Sequence, residues 1–181
     1  GLSFMDKKMI GIIGGTGIGD TLAERMSSVK THREETPFGK TSDQIVQGRL
    51  GRHNIAFVNR HGKGHKFSPA NVPYAANIYA MKKLGVRALI AIGAVGSLRE
   101  QIEPGHLVLV DQFIDKTFKR RTGFFEDVAA AHCELAQPTC GRLRNELAEQ
   151  SKSLDVKTHP KGCYVCMEGP QFSTRAESLM H

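Results

Sequence analysis

Three short stretches of the sequence carry residue types that suit a small oxyanion. Residues 14–19 read Gly-Gly-Thr-Gly-Ile-Gly. Glycines leave backbone N–H groups unshielded, and Thr16 adds one hydroxyl, a combination that fits a single phosphate. The order Gly15-x-Gly17-x-Gly19 departs from the dinucleotide fingerprint G-x-G-x-x-G, because Asp20 stands where the last glycine belongs. No G-K-[ST] follows, so the stretch is not a P-loop. By itself such a turn serves packing as often as it serves a ligand. The second stretch is Arg60-His61. Arginine's planar fork matches an oxyanion with two charge-assisted hydrogen bonds, and an imidazole can donate beside it. A solvated basic loop is the competing reading. The third is Gly93-Ala94-Val95-Gly96-Ser97, whose small residues leave amides accessible. A fourth stretch, 168–177 (EGPQFSTRAE), offers Phe172 after a Gly-Pro turn. Its ring face suits a planar base or sugar, where stacking is worth about 1–3 kcal/mol, although an isolated Phe belongs more often to a core.

These residues need strands to present them. Residues 9–13 (MIGII), 88–92 (ALIAI) and 107–110 (LVLV) are unbroken apolar runs, the pattern of strands covered on both faces. The first ends at the glycine cluster, the second at Gly93. Residues 44–50 and 54–58 read as two strands of a hairpin turned at Gly51-Arg52, with Arg60-His61 just past the second. Helices are expected over 21–26 with Asp20 as N-cap, from Ser68-Pro69 to Gly85, and over 138–150. In the last of these Cys140, Leu143 and Leu147 should face inward, and Arg142 should pair with Glu146. Residues 156–167 read as a strand region, 117–134 as a long loop, and Thr174-x-x-Glu177 as a capping box opening a final helix. The alternation predicts an α/β fold with a mixed, largely parallel sheet flanked by helices. Three strand ends of that sheet would converge on one anion through Thr16, Arg60, His61 and the amides of Gly93 and Ala94, since α/β proteins place ligands at the carboxyl ends of strands.

Composition narrows the class. With 40% hydrophobic and 24% charged residues in 181, the chain can build a core and is not a disordered tail. No apolar run is long enough to span a membrane as a helix, and no signal peptide is visible. The net charge of +7 is scattered, with local clusters at 60–66 and 119–121, and fits an anionic small ligand better than nucleic acid. Four cysteines, including Cys163-x-x-Cys166, lack a second pair to complete a zinc site and are expected as buried free thiols. None of the eight histidines has ligand spacing, so no metal is expected. Residues 1–8 are expected as an expression remnant with a disordered start, and 9–181 as one α/β domain that stops inside its last helix. A cytoplasmic location follows from the same features.

The segments GIIGGTGIG, NRHGKGH, ANVPYAANIYAMKKLGV, GAVGSLREQIEPGHLVLVDQFIDKT and YVCMEGPQFSTRAES resemble the 5′-methylthioadenosine phosphorylases, trimeric members of the purine nucleoside phosphorylase family. The resemblance runs from Met9 to the last residue. It implies phosphorolysis of a purine nucleoside, with inorganic phosphate as co-substrate, no other cofactor, and a homotrimer binding neither nucleic acid nor membrane. It implies phosphate contacts at Thr16, Arg60, His61, Gly93 and Ala94. For the nucleoside it implies Phe172 at base and ribose, Ser173 at the 5′-substituent, His132 reaching an adjacent subunit's 5′-substituent, and His65 near the ribose. Relatives often carry Thr or Ser where this chain has Gly93. The family also continues for roughly another hundred residues, which hold a Met-Thr pair and the purine-binding aspartate. The chain as given is therefore expected to bind phosphate weakly and not to turn over. A methylthioinosine or general purine nucleoside phosphorylase stays open, as does a non-catalytic nucleoside- or phosphate-binding fragment. A water-using nucleosidase is the rival enzyme.

Overall fold

Continuous apolar runs must be covered on both faces, and two of the three predicted ones lie side by side in one sheet. The computed structural model describes residues 9–181, so the expectations for residues 1–8 fall outside the described residues. The chain divides into two compact units, Gly1–Ala94 and Val95–His181. The division falls within the small-residue stretch 93–97.

The first unit begins with β1 (Met9–Gly14) and α1 (Thr16–Arg25). Next come β2 (Ser27–His32), the short pair β3 (Glu35–Thr36) and β4 (Gly39–Lys40), β5 (Ile45–Leu50) and β6 (His53–Asn59). A 3-10 turn, Pro69–Asn71, precedes α2 (Tyr74–Lys83), and β7 (Val86–Ala91) completes the unit. Five strands form a mixed sheet in the order β2-β5-β6-β1-β7. β1, between β6 and β7, runs parallel to both neighbours, with Gly14 opposite Asn59 and Ile13 opposite Ala91. Strand alternation sends β6 side chains to two cores. Ala56 and Val58 pack with Ile13, Ile45, Ala80 and Met81, the last two from α2. Ile55 and Phe57 pack with Ile12 and Met26, against Ile18 and Leu22 of α1. The sheet is thus sandwiched between two helices.

Helix α1 starts five residues earlier than the glycine content suggests. Gly15 rather than Asp20 is its N-cap, and no side chain caps it. Interior glycines cost about 1 kcal/mol each against alanine, but Gly19 is what lets the helix approach the sheet. A Cβ there would sit 2.4 Å from Phe57 Cε1. Helix α2 in turn starts later than expected. Ser68 caps only the 3-10 turn, because Pro73 lacks an N–H and Val72 before it is extended. Strand β2 escaped the pattern since it is an almost wholly exposed edge.

The second unit holds β8 (Leu107–Val108), β9 (Gln112–Lys116), α3 (Gly141–Ser151), β10 (Thr158–His159), β11 (Cys163–Met167) and α4 (Arg175–Met180). β8 pairs with β10 and β9 with β11, both in parallel. The expected strand over 156–167 is split between β10 and β11, around Pro160. Helix α3 begins at Gly141 with Cys140 exposed as its N-cap, not inward, and no Arg142–Glu146 pair forms among the described residues. The cysteines are free but not buried: Cys133, Cys140 and Cys163 are exposed and Cys166 is half-buried. The capping box at Thr174 and Glu177 forms as read.

Candidate active site

The parallel register sets the C-terminal ends of β1, β6 and β7 at one edge of the sheet. The ladder continues past the strands. Arg60 N–H donates to the Gly14 carbonyl at 2.9 Å, and Ile92 N–H donates to the Ile13 carbonyl at 2.8 Å. The turn at Gly15, the Arg60-His61 pair and the Gly93-Ala94 backbone therefore emerge side by side. Thr16 is the first residue of α1; its hydroxyl lies outside the described atoms. The first turn of α1 has no acidic residue and no side-chain cap, so its amides and the positive end of the helix dipole are available to an anion.

Arg60 is held from two sides. Its Nη1 donates to the Ile92 carbonyl at 3.2 Å, and its Nε donates to His61 Nε2 at 3.3 Å. Neither partner is an anion, and among the described residues no carboxylate pairs with the guanidinium. The uncompensated charge faces Gly93, where an added Cβ would lie 3.7 Å from Arg60 Nη2. His61 Nδ1 lies 3.0 Å from the Phe67 carbonyl and must carry a proton to bond it. With Nε2 accepting from Arg60, the imidazole orients the guanidinium. His65, at φ +55°, stacks on His61 with ring centroids 6.1 Å apart. Ala94 follows Gly93, and both are exposed. The structure thus gathers Arg60, His61, His65, Gly93 and the backbone leading to Thr16.

The remaining sequence-selected residues belong to the second unit. Phe172 is 93% exposed. Ser173 Oγ lies 2.7 Å from Ser178 Oγ. His132 is exposed in an irregular segment. The turn that carries Phe172 is anchored by Glu168, which is 3% exposed. Its Oε2 accepts the Phe118 N–H at 2.7 Å and the Lys119 N–H at 3.3 Å. Beside them Asp115 accepts the Thr117 N–H at 2.8 Å, and hydrogen bonds from Thr117 hold its carboxyl below the ordinary value. Among the described residues no three His, Cys, Asp or Glu side chains group as a metal site, and no helix is long and apolar enough to cross a membrane.

The Phosphorylase superfamily profile matches residues 9–181. The chain belongs to that superfamily. It is similar to S-methyl-5′-thioadenosine phosphorylase of Cereibacter sphaeroides, at 49% identity over 97% of this chain and 60% of that protein. The Saccharolobus solfataricus enzyme of the same name is 46% identical over 96% of this chain and 63% of its own length. Among solved structures, a methylthioadenosine phosphorylase from an antarctic soil metagenomic library superposes with a TM-score of 0.88 at 43% identity, covering 97% of this chain and 61% of the other. Methylthioadenosine phosphorylase from Schistosoma mansoni in apo form gives 0.89 at 36% identity, covering 97% and 69%. The chain therefore spans about three fifths of the curated relatives it matches.

Sequence reasoning missed three supports of these residues. The carbonyls of Ile92 and Phe67 carry no side-chain signal. Glu168 stands inside a motif whose evident feature is its aromatic, Phe172. A further buried pair, Ser42 and Asn77, lies beneath the clamp.

Proposed function

We propose that this chain supplies phosphate- and nucleoside-binding residues of a 5′-methylthioadenosine phosphorylase. Phosphate is held by Thr16, Arg60, His61, Gly93 and Ala94. Phe172, Ser173, His65 and His132 serve the nucleoside. A phosphate oxygen forms the new bond to C1′ as the C1′–N9 bond breaks, the ribosyl group passes through an oxocarbenium-like state, and the electron pair leaves with adenine as it is protonated or hydrogen-bonded at N7. The products are adenine and 5-methylthioribose 1-phosphate. The observation that carries this reading is Arg60, a guanidinium fixed by the Ile92 carbonyl and the His61 ring, with no carboxylate partner among the described residues, beside a helix N-terminus that has no side-chain cap. A water-using nucleosidase has no use for such a clamp. A homotrimer working in the cytoplasm is part of the proposal, with His132 directed to a neighbouring subunit.

The test is phosphate dependence. Protein containing this chain, given methylthioadenosine, should release adenine only when inorganic phosphate is present, with the sugar recovered as its 1-phosphate. Adenine release at an equal rate in phosphate-free buffer, with free methylthioribose as product, would refute it. Inosine cleaved faster than methylthioadenosine would move the assignment to a general purine nucleoside phosphorylase.

A further inference from the structure

The first unit buries a polar cluster directly under the Arg60-His61 turn. Asn77 lies on the core side of α2 at 1% exposure, Ser42 at 8% and Asn59 at 7%. Asn77 Oδ1 accepts the Ser42 N–H at 2.9 Å, and Asn77 Nδ2 donates to Ser42 Oγ at 3.0 Å. Ser42 Oγ has one proton, and its shortest contact, 2.6 Å, is with the Asn59 carbonyl. That same carbonyl accepts the Gly62 N–H at 3.2 Å, while Asn59 Nδ2 donates to the Gly62 carbonyl at 3.2 Å. Residues 59–62 thus form a turn locked at both ends, with Arg60 and His61 as its two projecting members. Gly62 closes it in the left-handed region at φ +72°, and a Cβ there would lie 2.8 Å from the Ser42 carbonyl.

We propose that Ser42 and Asn77 are positioning residues for the anion clamp. They do not touch the anion. They fix the Asn59 carbonyl, and through it the direction in which Arg60 and His61 leave the sheet. The inference rests on the phosphate reading of that site and extends it. The location supports a role beyond core filling. Asn77 neighbours Ala76, Ala80 and Met81, all buried on the same helix, where an apolar residue of similar volume would pack without needing partners. Both of its polar atoms instead converge on Ser42, and Ser42 on the residue just before Arg60. Oriented clamps are sensitive to small displacements, since a misplacement of about 1 Å can cost about 10²-fold.

The experiment titrates inorganic phosphate and, separately, methylthioadenosine into the wild-type chain, Ser42→Ala, Ser42→Thr and Asn77→Leu by calorimetry. The Arg60 Nε–H resonance is followed in the same samples. Ser42→Ala should weaken phosphate binding about three- to tenfold, short of the loss from a full ångström of error. It should broaden the Arg60 Nε–H signal and leave nucleoside binding unchanged. Ser42→Thr, which keeps the hydroxyl, should restore both phosphate readouts. Asn77→Leu should act in the same direction; if it does not fold, the two Ser42 variants decide. Wild-type phosphate affinity with an unaltered Arg60 signal in Ser42→Ala overturns the proposal, and so does equal weakening of phosphate and nucleoside. A wild-type chain that binds no phosphate overturns the phosphorylase reading itself, and the positioning role with it.

Discussion

Gly93 gives direct access to the charge on which the site depends. An added Cβ would stand 3.7 Å from Arg60 Nη2 and 3.8 Å from Nη1, ordinary contact distances, and the Gly93 φ lies outside the left-handed region. Gly93→Asp should therefore fold normally and place a carboxylate beside the guanidinium, about 5 Å from a bound phosphate. One carboxylate repels a dianion at that distance by about 1.7 kcal/mol in a water-like dielectric, which is about 17-fold in affinity. The new exposed ion pair with Arg60 adds up to about 1 kcal/mol more. The phosphate Kd should rise about 20- to 100-fold in low salt. Gly93→Asn has the same shape without the charge and should stay near wild type, and high salt should narrow the gap between the two variants. Calorimetric titration with inorganic phosphate measures this. Equal Kd values for Gly93→Asp and Gly93→Asn at low salt would show that the anion does not sit at Arg60.

Other perturbations test separate links. Gly19→Ala should push α1 away from Phe57, where the new methyl would lie 2.4 Å from the ring, and lower stability by about 1–3 kcal/mol in denaturant titration. Phe172→Ala removes a ring that is 93% exposed, so Tm should hold while methylthioadenosine affinity falls by the ~1–3 kcal/mol of a lost stack. Glu177 accepts the Thr174 backbone N–H at 2.7 Å. That bond, with the Thr174 side chain, holds its carboxyl below the ordinary 4.5. The cap's contribution is therefore full above 4.5 and is lost as pH falls through the lowered folded value. Glu177→Gln should remove that acid-side fraying of α4, read from its amide exchange.

The parts of this fold that were legible are those where one residue type meets one demand. The run at β1 is apolar because both faces are covered, whereas β7 is a half-buried edge despite its apolar run; Arg60, His61 and Gly93 stand at strand ends where the register then aligns them. The start of α1 was hidden because helix propensity counts Gly17 and Gly19 against a helix, whereas packing on Phe57 requires Gly19. The burial expected for Cys163 and Cys166 failed for a related reason: a strand pattern does not say how many neighbours the strand acquires, and among the described residues β11 pairs with β9 alone. Ser42 and Asn77 are 35 residues apart, and neither position has a local signal. Only the packing of α2 against β3 and β4, which lead into Ser42, makes them partners.

The single imidazole acceptor beside Arg60 is already spent on that guanidinium. Recognition by Arg60, with His61 holding it in place, then reads negative charge and tetrahedral shape, and neither side chain consults the P–OH hydrogen that tells monohydrogen phosphate from sulfate. Sulfate, arsenate and vanadate should crowd into the same seat, so buffers rich in ammonium sulfate would mask the protein's affinity for its own co-substrate.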